Sequence, residues 1–332
     1  MFERMFTFIA GLKERINKNR ENLMKDIDEK LMLEHKKVKN GQFKKNMKEI
    51  VELGLEKAEK VEINKMTELK NKVITCYVDE NILKMGYFVF DKQYVCRETR
   101  NQQIKNKENI LMEDYIESEI AQFLEENDVS DDISLFLSLG FNFTLTGSNT
   151  VKISLSKNYP FKRAEKVTFK NNFNCIYNKC LSLLLCGIER NRQNITIVCD
   201  SSLNLCMFKK QSKKGMKMDN LILNTNLGDL KFDDKYTVND ILGCSNITNV
   251  NLMDVDHPVV QNRIEIKKRL VLEFIKAVLE LSTETKNVNL ILNGVMFERN
   301  KEYFMDELKK LKISYKMIED FDMKYFIAIN KI

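Results

Sequence analysis

The feature that most constrains the fold is a change in hydrophobic periodicity near residue 70. Before that position apolar residues recur at helical spacing, whereas after it short apolar runs of strand length alternate with amphipathic segments. Strand candidates occupy residues 72–78, 86–90, 134–144, 173–177, 195–199, 221–224 and 288–292, and a last apolar segment lies at 325–329. Helix candidates occupy residues 109–126, 263–282 and 301–310. Strands interleaved with helices predict an α/β protein.

The first 70 residues are predicted to be helical. Residues 21–34 and 43–58 are charged and amphipathic, and Asn40-Gly41 separates them as a turn. Nearer the N-terminus, six apolar residues recur at helical spacing: Phe2, Met5, Phe6, Ile9, Leu12 and Ile16. Because Glu3 and Arg4 interrupt this apolar run and no cleavage-site pattern follows, an amphipathic helix is a better interpretation than a signal peptide.

Composition bounds the class of protein without indicating an activity. With 332 residues, 43% of them hydrophobic and 31% charged, the chain is predicted to be globular and long enough for two domains. The net charge of +6 is a mild excess that does not by itself favour nucleic-acid binding. No apolar stretch has the length of a membrane-spanning helix, so we expect no membrane span.

The cysteines are predicted to be free thiols. The eight cysteines include no C-x-x-C pair, and the chain has only two histidines, so the pattern argues against a zinc site. Most of the cysteines lie in apolar runs, where buried free thiols are the ordinary state. Free thiols suit a reducing compartment, and we therefore expect a cytoplasmic protein.

From residue 117 onward, the order and spacing of several blocks resemble the hexokinase family. Residues 139–146 (LGFNFTLT) are similar to the family strand L-G-F-T-F-S-F-P, and residues 156–161 (SKNYPF) stand at the family's sugar-binding T-K-x-F. Residues 175–185 (CIYNKCLSLLL) follow at the family's V-V-N-D-T-V-G-T, and residues 197–206 (IVCDSSLNLC) at its I-V-G-T-G-x-N-A-C.

The C-terminal third continues the resemblance. Residues 224–228 (NTNLG) are similar to the family's N-T-E-W-G, and residues 290–297 (LILNGVMF) to its V-G-V-D-G-S-L-Y. Residues 318–324 (IEDFDMK) stand where the family has a glycine-rich S-x-D-G-S-G, and residues 79–84 (DENILK) stand, more weakly, at the first phosphate loop. No single block is specific, and the resemblance depends on their order and spacing together.

The resemblance implies a two-lobed actin/hexokinase-like (ribonuclease H-like) fold with an N-terminal helical segment. Residues 1–70 would form that segment and pack on the large lobe. Residues 71–178 would form the small lobe, which corresponds to the hexokinase type 1 domain. Residues 179–332 would form the large lobe, which corresponds to the type 2 domain, and their C-terminal segment would return to the small lobe.

The resemblance also implies that the catalytic base is lost. A sugar kinase needs a carboxylate to accept the proton of the attacking hydroxyl group, and the family base is the Asp of N-D-T. Lys179 stands at that position, and a protonated ammonium group has donors but no acceptor. Asp200 would be the base under a different alignment, which would leave no segment for the second phosphate loop before Asn224.

The nucleotide site is predicted to be degenerate. Phosphate loops need glycine so that backbone N–H groups approach the phosphate oxygens, and neither phosphate-loop segment contains one. The residues at nucleotide-binding positions are Asp79, Ser201, Ser202, Asn204, Asn293 and Gly294. Only Gly294 keeps the family's residue type in the adenosine loop, and bulky and acidic residues fill the later segment at 320–323.

The sugar site is predicted to be mixed. Thr144, Ser156, Lys157 and Asn178 stand at family positions and can hydrogen-bond to hydroxyl groups. Asn226 replaces a family carboxylate, and a second carboxylate is missing because the segment after Gly228 is shorter than in the family.

Three functions remain open on the sequence. The preferred one is a catalytically inactive hexokinase-like protein that binds a partner or a hexose and needs no cofactor. The second is a divergent active hexokinase that uses Mg-ATP to phosphorylate glucose in glycolysis. The third is a ribosome- or RNA-associated protein, suggested by the basic runs at residues 36–39 and 209–214. Such runs are usually solvated loops, so nucleic-acid binding is the least favoured of the three.

Overall fold

A computed structural model describes residues 22, 24–62, 70–105, 107–129, 132–141, 143–153, 159–189, 192–200, 202–210, 220–244, 258–282 and 287–318. Its helices are α1 (24–38), α2 (Gln42–Glu56), α3 (Met112–Glu126), α4 (Lys179–Gly187), α5 (Val238–Leu242), α6 (Pro258–Glu280), α7 (Val295–Arg299) and α8 (Lys301–Lys310). Its strands are β1 (Glu59–Glu62), β2 (Lys72–Val78), β3 (Ile82–Asp91), β4 (Gln93–Gln103), β5 (Ile133–Leu139), β6 (Phe143–Gly147), β7 (Thr150–Ile153), β8 (Lys166–Thr168), β9 (Cys175–Asn178), β10 (Gln193–Cys199), β11 (Leu203–Lys210), β12 (Asn220–Asn226), β13 (Val288–Asn293) and β14 (Ser314–Met317). The predicted α/β class is confirmed.

Two sheets share one topology. In the first, β2, β3 and β4 form an antiparallel meander, and β5 and then β9 add in parallel beside β2, in the order β4-β3-β2-β5-β9. In the second, β10, β11 and β12 form the meander, and β13 and β14 add in parallel beside β10. This repeated arrangement is the two-lobed actin/hexokinase-like (ribonuclease H-like) fold that the resemblance implies. A small sheet of β6, β7 and β8 accompanies the first lobe.

The buried residues form three clusters. One lies between the second sheet and helices α1, α2 and α6, and it includes Phe43, Met47 and Phe274. Another lies between the first sheet and α3. The third cluster joins the two sheets through α4, whose Leu183, Leu184 and Leu185 are all buried there. Because α4 contributes to this shared core, the two lobes are packed together through this helix.

The strand predictions overlap β2, β3, β5, β9, β10, β12 and β13, whereas β7, β8, β14 and the buried strand β11 were not predicted. The expected helical segment 1–70 contains the strand β1, because this short polar segment pairs with β12 at the sheet edge, where charged residues are common. The single strand expected at 134–144 is divided into β5 and β6 around Gly140. β4 was not predicted, because its charged sequence lacks strand periodicity. The predicted segments at 2–16 and 325–329 lie outside the described residues.

Candidate functional site

The polar residues singled out from the sequence lie at the carboxyl ends of parallel strands. Asp79 follows β2, Asn178 ends β9, Asp200 follows β10 and Gly294 follows β13. In open α/β sheets this edge is where ligands bind. The candidate site is therefore the region where these strand ends of the two sheets meet, which we call the cleft.

Lys179 and Asp200 form an ion pair in this cleft. Lys179 is the first residue of α4, and its Nζ lies 2.8 Å from Oδ2 of Asp200. The other carboxylate oxygen of Asp200, Oδ1, accepts a hydrogen bond of 2.9 Å from the backbone N–H of Val295. The two side chains are 15% and 26% exposed, so the pair is largely withdrawn from water.

The surrounding charges hold both partners in their ionised forms. Burial alone would lower the pKa of Lys179, but the charges of Asp200, Asp79 and Glu298 outweigh burial, so its pKa is raised. Burial alone would raise the pKa of Asp200, but Lys179 and the Val295 N–H outweigh it, so its pKa is lowered. Near neutral pH the cleft therefore holds an ammonium group and a carboxylate that neutralise each other.

The main chain of Asp200 is held by the segment that directly follows α5. Its carbonyl oxygen accepts a hydrogen bond of 2.7 Å from the N–H of Cys244. The neighbouring Gly243 carbonyl accepts from Nζ of Lys267 at 2.5 Å, and Lys267 is completely buried in α6. Burial lowers the pKa of Lys267. These contacts fix the position of Asp200 independently of its side chain.

Asp79 is the carboxylate of the first lobe. Its Oδ2 accepts from the hydroxyl group of Tyr77 at 2.6 Å, and its Oδ1 accepts from the N–H of Glu80 at 2.7 Å. Burial and the Asp79 charge raise the pKa of Tyr77 well above its ordinary value, so the phenol remains a donor. The sequence did not single out Tyr77, because a tyrosine in an apolar strand reads as a core residue.

Glycines make room for both carboxylates. A Cβ on Gly140, at the end of β5, would lie 2.5 Å from the carboxyl carbon of Asp79. A Cβ on Gly294 would lie 2.6 Å from both Oδ1 of Asp200 and the carbonyl oxygen of Cys199. Each lobe thus has a carboxylate after the first strand of its meander and a glycine after the adjacent parallel strand.

The other described residues at nucleotide-binding positions form hydrogen bonds with other residues of the chain. The N–H of Asp200 donates to the carbonyl of Ser202 at 3.1 Å, and Asn204 Nδ2 donates to Oγ of Ser202 at 3.0 Å. Asn293 is 2% exposed, its Nδ2 donates to the carbonyl of Ile318, and its Oδ1 is buried without a hydrogen-bond partner among the described residues. Ser201 lies outside the described residues.

Asn178 belongs to a network that the sequence did not reveal. Its Oδ1 caps α4 by accepting from the N–H of Leu181 at 2.8 Å, and its Nδ2 donates to Oδ1 of Asn224 at 3.0 Å. Asn224 Nδ2 donates in turn to Oε2 of Glu59 at 3.1 Å. Glu59 reaches this place through the pairing of β1 with β12, which no pattern in the sequence indicated.

Asn226 also has an acidic neighbour. Its Nδ2 donates to Oδ2 of Asp229, which follows in the short 3₁₀ turn Leu227–Asp229, and its buried Oδ1 has no hydrogen-bond partner in the part of the chain that the structure describes. Burial raises the pKa of Asp229. The position of Asp229 directly after the N-T-N-L-G block was the available signal for this carboxylate.

The remaining sugar-site predictions are not gathered into this network. Thr144 lies on β6 with an exposed side chain, and the described contacts give it no hydrogen bond to Asn178 or Asn226. Ser156 and Lys157 lie outside the described residues, as do residues 320–323. The structure therefore forms two groups of contacts. One contains Asp79, Lys179, Asp200 and Gly294, and the other contains Asn178 and Asn224.

In the part of the chain that the structure describes, no group of three His, Cys, Asp or Glu side chains could hold a metal ion, and no helix combines the length and the apolar character of a membrane span. All eight cysteines are free thiols, and Cys76, Cys180, Cys199, Cys206 and Cys244 are buried. Burial raises the pKa of Cys76.

The chain matches solved structures of sugar kinases, although no family model and no curated protein matches it by sequence. A hexokinase from Schistosoma mansoni complexed with glucose aligns with a TM-score of 0.62 and 14% identity, over 92% of this chain and 99% of that one. A glucokinase from an Antarctic psychrotroph aligns at 0.51 and 7% identity, over 78% and 98% of the two chains. A ROK-family protein from Streptococcus pneumoniae in complex with sucrose aligns at 0.50 and 10% identity, over 78% and 96%. The protein therefore has the hexokinase-like fold of the sugar kinases.

Proposed function

We propose that this protein keeps the hexokinase-like fold without phosphoryl transfer and acts as a binding or regulatory protein. The observation that carries the proposal is the ion pair between Lys179 and Asp200. Lys179, whose ammonium group forms this pair, stands at the position where the resemblance expects the catalytic base. The carboxylate of Asp200 neutralises this ammonium group and is therefore not free to act as the base.

Neither partner of the pair is suited to accept a proton from a sugar alcohol. The pKa of Lys179 is raised, so it carries its proton at neutral pH. Asp200 is ionised, but its lowered pKa makes it a weaker base, and Lys179 and the Val295 N–H occupy both of its oxygens. Loss of a positioned general base costs roughly 10²–10⁴ in rate.

The phosphate side of the cleft does not fit Mg-ATP. A triphosphate needs free backbone N–H groups and cations, whereas the N–H groups of Asp200 and Val295 already donate to protein oxygens. The one ammonium group described at this position, that of Lys179, is already neutralised by Asp200. We therefore assign no step to the nucleotide.

Calorimetric titration with Mg-ATP, with and without glucose, tests the proposal together with a phosphotransfer assay of the same sample. We expect no heat of nucleotide binding and no sugar phosphate, while an active hexokinase run in parallel gives both. Phosphotransfer by the wild-type chain that disappears in D200N would overturn the proposal.

That outcome would support a second candidate, a divergent hexokinase with Asp200 as its base and Mg-ATP as its cosubstrate. Its one favourable observation is that Asp200 is ionised and lies in the cleft, as a general base must. Under this candidate, K179M would raise the rate, because removal of the ammonium group frees one oxygen of Asp200 and raises its pKa. Under the preferred function, K179M produces no activity.

A hexose is the ligand we propose for the cleft of a binding protein. Amide and carboxylate groups recognise sugar hydroxyl groups, and Asn178, Asn224, Glu59, Asn226 and Asp229 supply them in two hydrogen-bonded sets. Titration with glucose in the absence of nucleotide tests this ligand. Binding that N224A weakens supports it, and absence of binding at millimolar glucose contradicts it.

The RNA-associated alternative receives little support from the described part of the basic runs. In the run at residues 36–39, Lys37 pairs with the buried Glu34 at 2.8 Å. Binding to RNA that weakens steeply with salt would favour this alternative.

A further inference from the structure

A groove lies on the second lobe, apart from the cleft residues described above. It encloses about 700 Å³ between the start of α2, the end of α6 and the turn from α8 to β14. Its lining consists of Lys44, Lys276, Leu279, Glu280, Leu311, Lys312 and Ile313. Small-molecule sites typically occupy roughly 300–1,000 Å³, so the groove has the size of a ligand site.

The floor of the groove is aliphatic. Leu279 is 5% exposed and belongs to the core, Ile313 is half-buried, and Leu311 is 36% exposed. A single exposed leucine needs no explanation, but here three branched aliphatic side chains line one concave surface. This floor favours a hydrocarbon group over a polar one.

The rim of the groove is cationic. Lys44 pairs with Glu280 at 2.6 Å, and Lys276 pairs with Glu273 at 2.6 Å. Lys312 is exposed, and the described residues provide it with no ion-pair partner. Since Lys44 and Lys276 are each paired with a glutamate, the excess positive charge beside the aliphatic floor is that of Lys312.

Two of these lysines stand where the fold itself disfavours them. Lys44 lies in the first turn of α2, where the helix dipole is unfavourable to a positive charge. Lys312 has a φ of 55°, a left-handed conformation that glycine adopts without a steric penalty. Lys44 is compensated by its ion pair with Glu280, so Lys312, a lysine at a helix end where glycine is common, is the residue that suggests a function.

We propose that this groove binds an anionic amphiphile, a medium-chain carboxylate. Its hydrocarbon chain lies on Leu279, Leu311 and Ile313, and its carboxylate lies between the ammonium groups of Lys312 and Lys276. The aliphatic floor favours a hydrocarbon chain, and the positive charge beside it favours an anionic head group over a neutral or cationic one. The site is independent of the function proposed for the cleft.

A homologous series of ligands provides the first test. Calorimetry and ligand-observed NMR with hexanoate, octanoate and decanoate are expected to show affinity rising about fourfold for each added methylene, as expected for burial of about 0.8 kcal/mol per CH₂. Decanol and decyltrimethylammonium are expected to bind at least about tenfold more weakly than decanoate, because they lack the anion. Equal affinity for decanoate and decanol, or no binding of decanoate, would overturn the proposal.

The second test uses K312G. This variant removes the ammonium group and relieves the left-handed backbone, so its urea midpoint is expected to equal or exceed that of the wild type. Its affinity for decanoate is expected to fall at least about fivefold, because a charge-assisted contact is lost. K309Q, which neutralises a lysine of α8 outside the groove, is the matched control and should leave affinity unchanged. If K312G bound decanoate as tightly as the wild type, or if K309Q lost as much affinity as K312G, Lys312 would not bind the carboxylate and the proposal would be wrong.

Discussion

Gly294 and Asp200 are in such close contact that any side chain at position 294 would collide with the carboxylate. A Cβ there would lie 2.6 Å from Oδ1 of Asp200, and the backbone at Gly294 has a φ of 112°. The glycine that the resemblance assigns to the adenosine loop therefore has a structural reason to be present in this chain. It accommodates an internal carboxylate.

The variant G294A is expected to lose at least about 2 kcal/mol of unfolding free energy, since it combines backbone strain with a collision. D200A should not rescue it, because the carbonyl oxygen of Cys199 would also lie 2.6 Å from the new Cβ. Urea unfolding measures both variants. G147A is the control, since a Cβ at Gly147 would approach only Thr150, at 3.5 Å. A loss in G147A as large as that in G294A would contradict this explanation.

The variant G140A is expected to behave differently. The three nearest atoms to its Cβ all belong to the Asp79 side chain, the closest at 2.5 Å. G140A should therefore destabilise the protein by about 1–3 kcal/mol, whereas G140A in a D79A background should cost less than about 0.5 kcal/mol beyond D79A alone. A double-mutant cycle by urea unfolding measures this coupling. Additive losses would show that the glycine is needed for another reason.

The ion pair between Lys179 and Asp200 is expected to give a coupling energy of about 1–3 kcal/mol in a cycle of K179M, D200N and the double variant. K179M should be the most destabilised of the three, because it leaves a largely buried carboxylate without its counter-charge. The pair K235M and D26N supplies an exposed ion pair for comparison. Similar coupling energies for the two pairs would mean that burial does not strengthen the interaction between Lys179 and Asp200.

The same pair predicts a pH dependence of stability. The pKa of Asp200 is lowered from 3.8, so its contribution is present above about pH 4 and is lost as the pH falls through the lowered value. The pKa of Lys179 is raised from 10.5, so its contribution is present below that pH and is lost as the pH rises through the raised value. The stability difference between wild type and D200N should therefore be flat near neutral pH and shrink in acid. A difference that grows in acid would contradict the assignment.

Asn178 is expected to contribute as the N-cap of α4. N178A should lower the free energy of unfolding by about 1–2 kcal/mol, since the N–H of Leu181 loses its acceptor. N178S should recover about half of that loss, because serine caps a helix but cannot reach Asn224 as the amide does. Thermal and urea unfolding distinguish the two. Equal losses in N178A and N178S would assign the effect to the contact with Asn224.

The fold was largely predictable because most of its buried strands are apolar runs, but the buried strand β11 was not predicted. β2, β10 and β13 are buried along most of their length, and the pattern of their sequences indicated all three. β1 and β4 were not predictable, because they are polar and owe their pairing to neighbouring strands. The repeated sheet topology also left no repeat in the sequence, since topology constrains the order of strands and not the identity of their residues.

The sequence indicated which positions belong to the site, but it did not indicate the contacts between them. The sequence offered Lys179 and Asp200 as alternatives for one role, whereas the structure joins them at 2.8 Å. That contact depends on β10 and α4 meeting at one edge, which spacing along the chain does not encode. The contacts of Glu59 with Asn224 and of Tyr77 with Asp79 are likewise products of tertiary pairing.

Helix α4 limits how this molecule could change shape. Its leucines are shared by a core that contains Phe136 and Tyr177 of one lobe and Phe208 and Ile222 of the other. Swinging the lobes apart at that level would bring these aliphatic and aromatic groups into contact with water. Any opening must consequently pivot about α4 and widen only the mouth of the cleft, so the entrance can move while the floor stays closed.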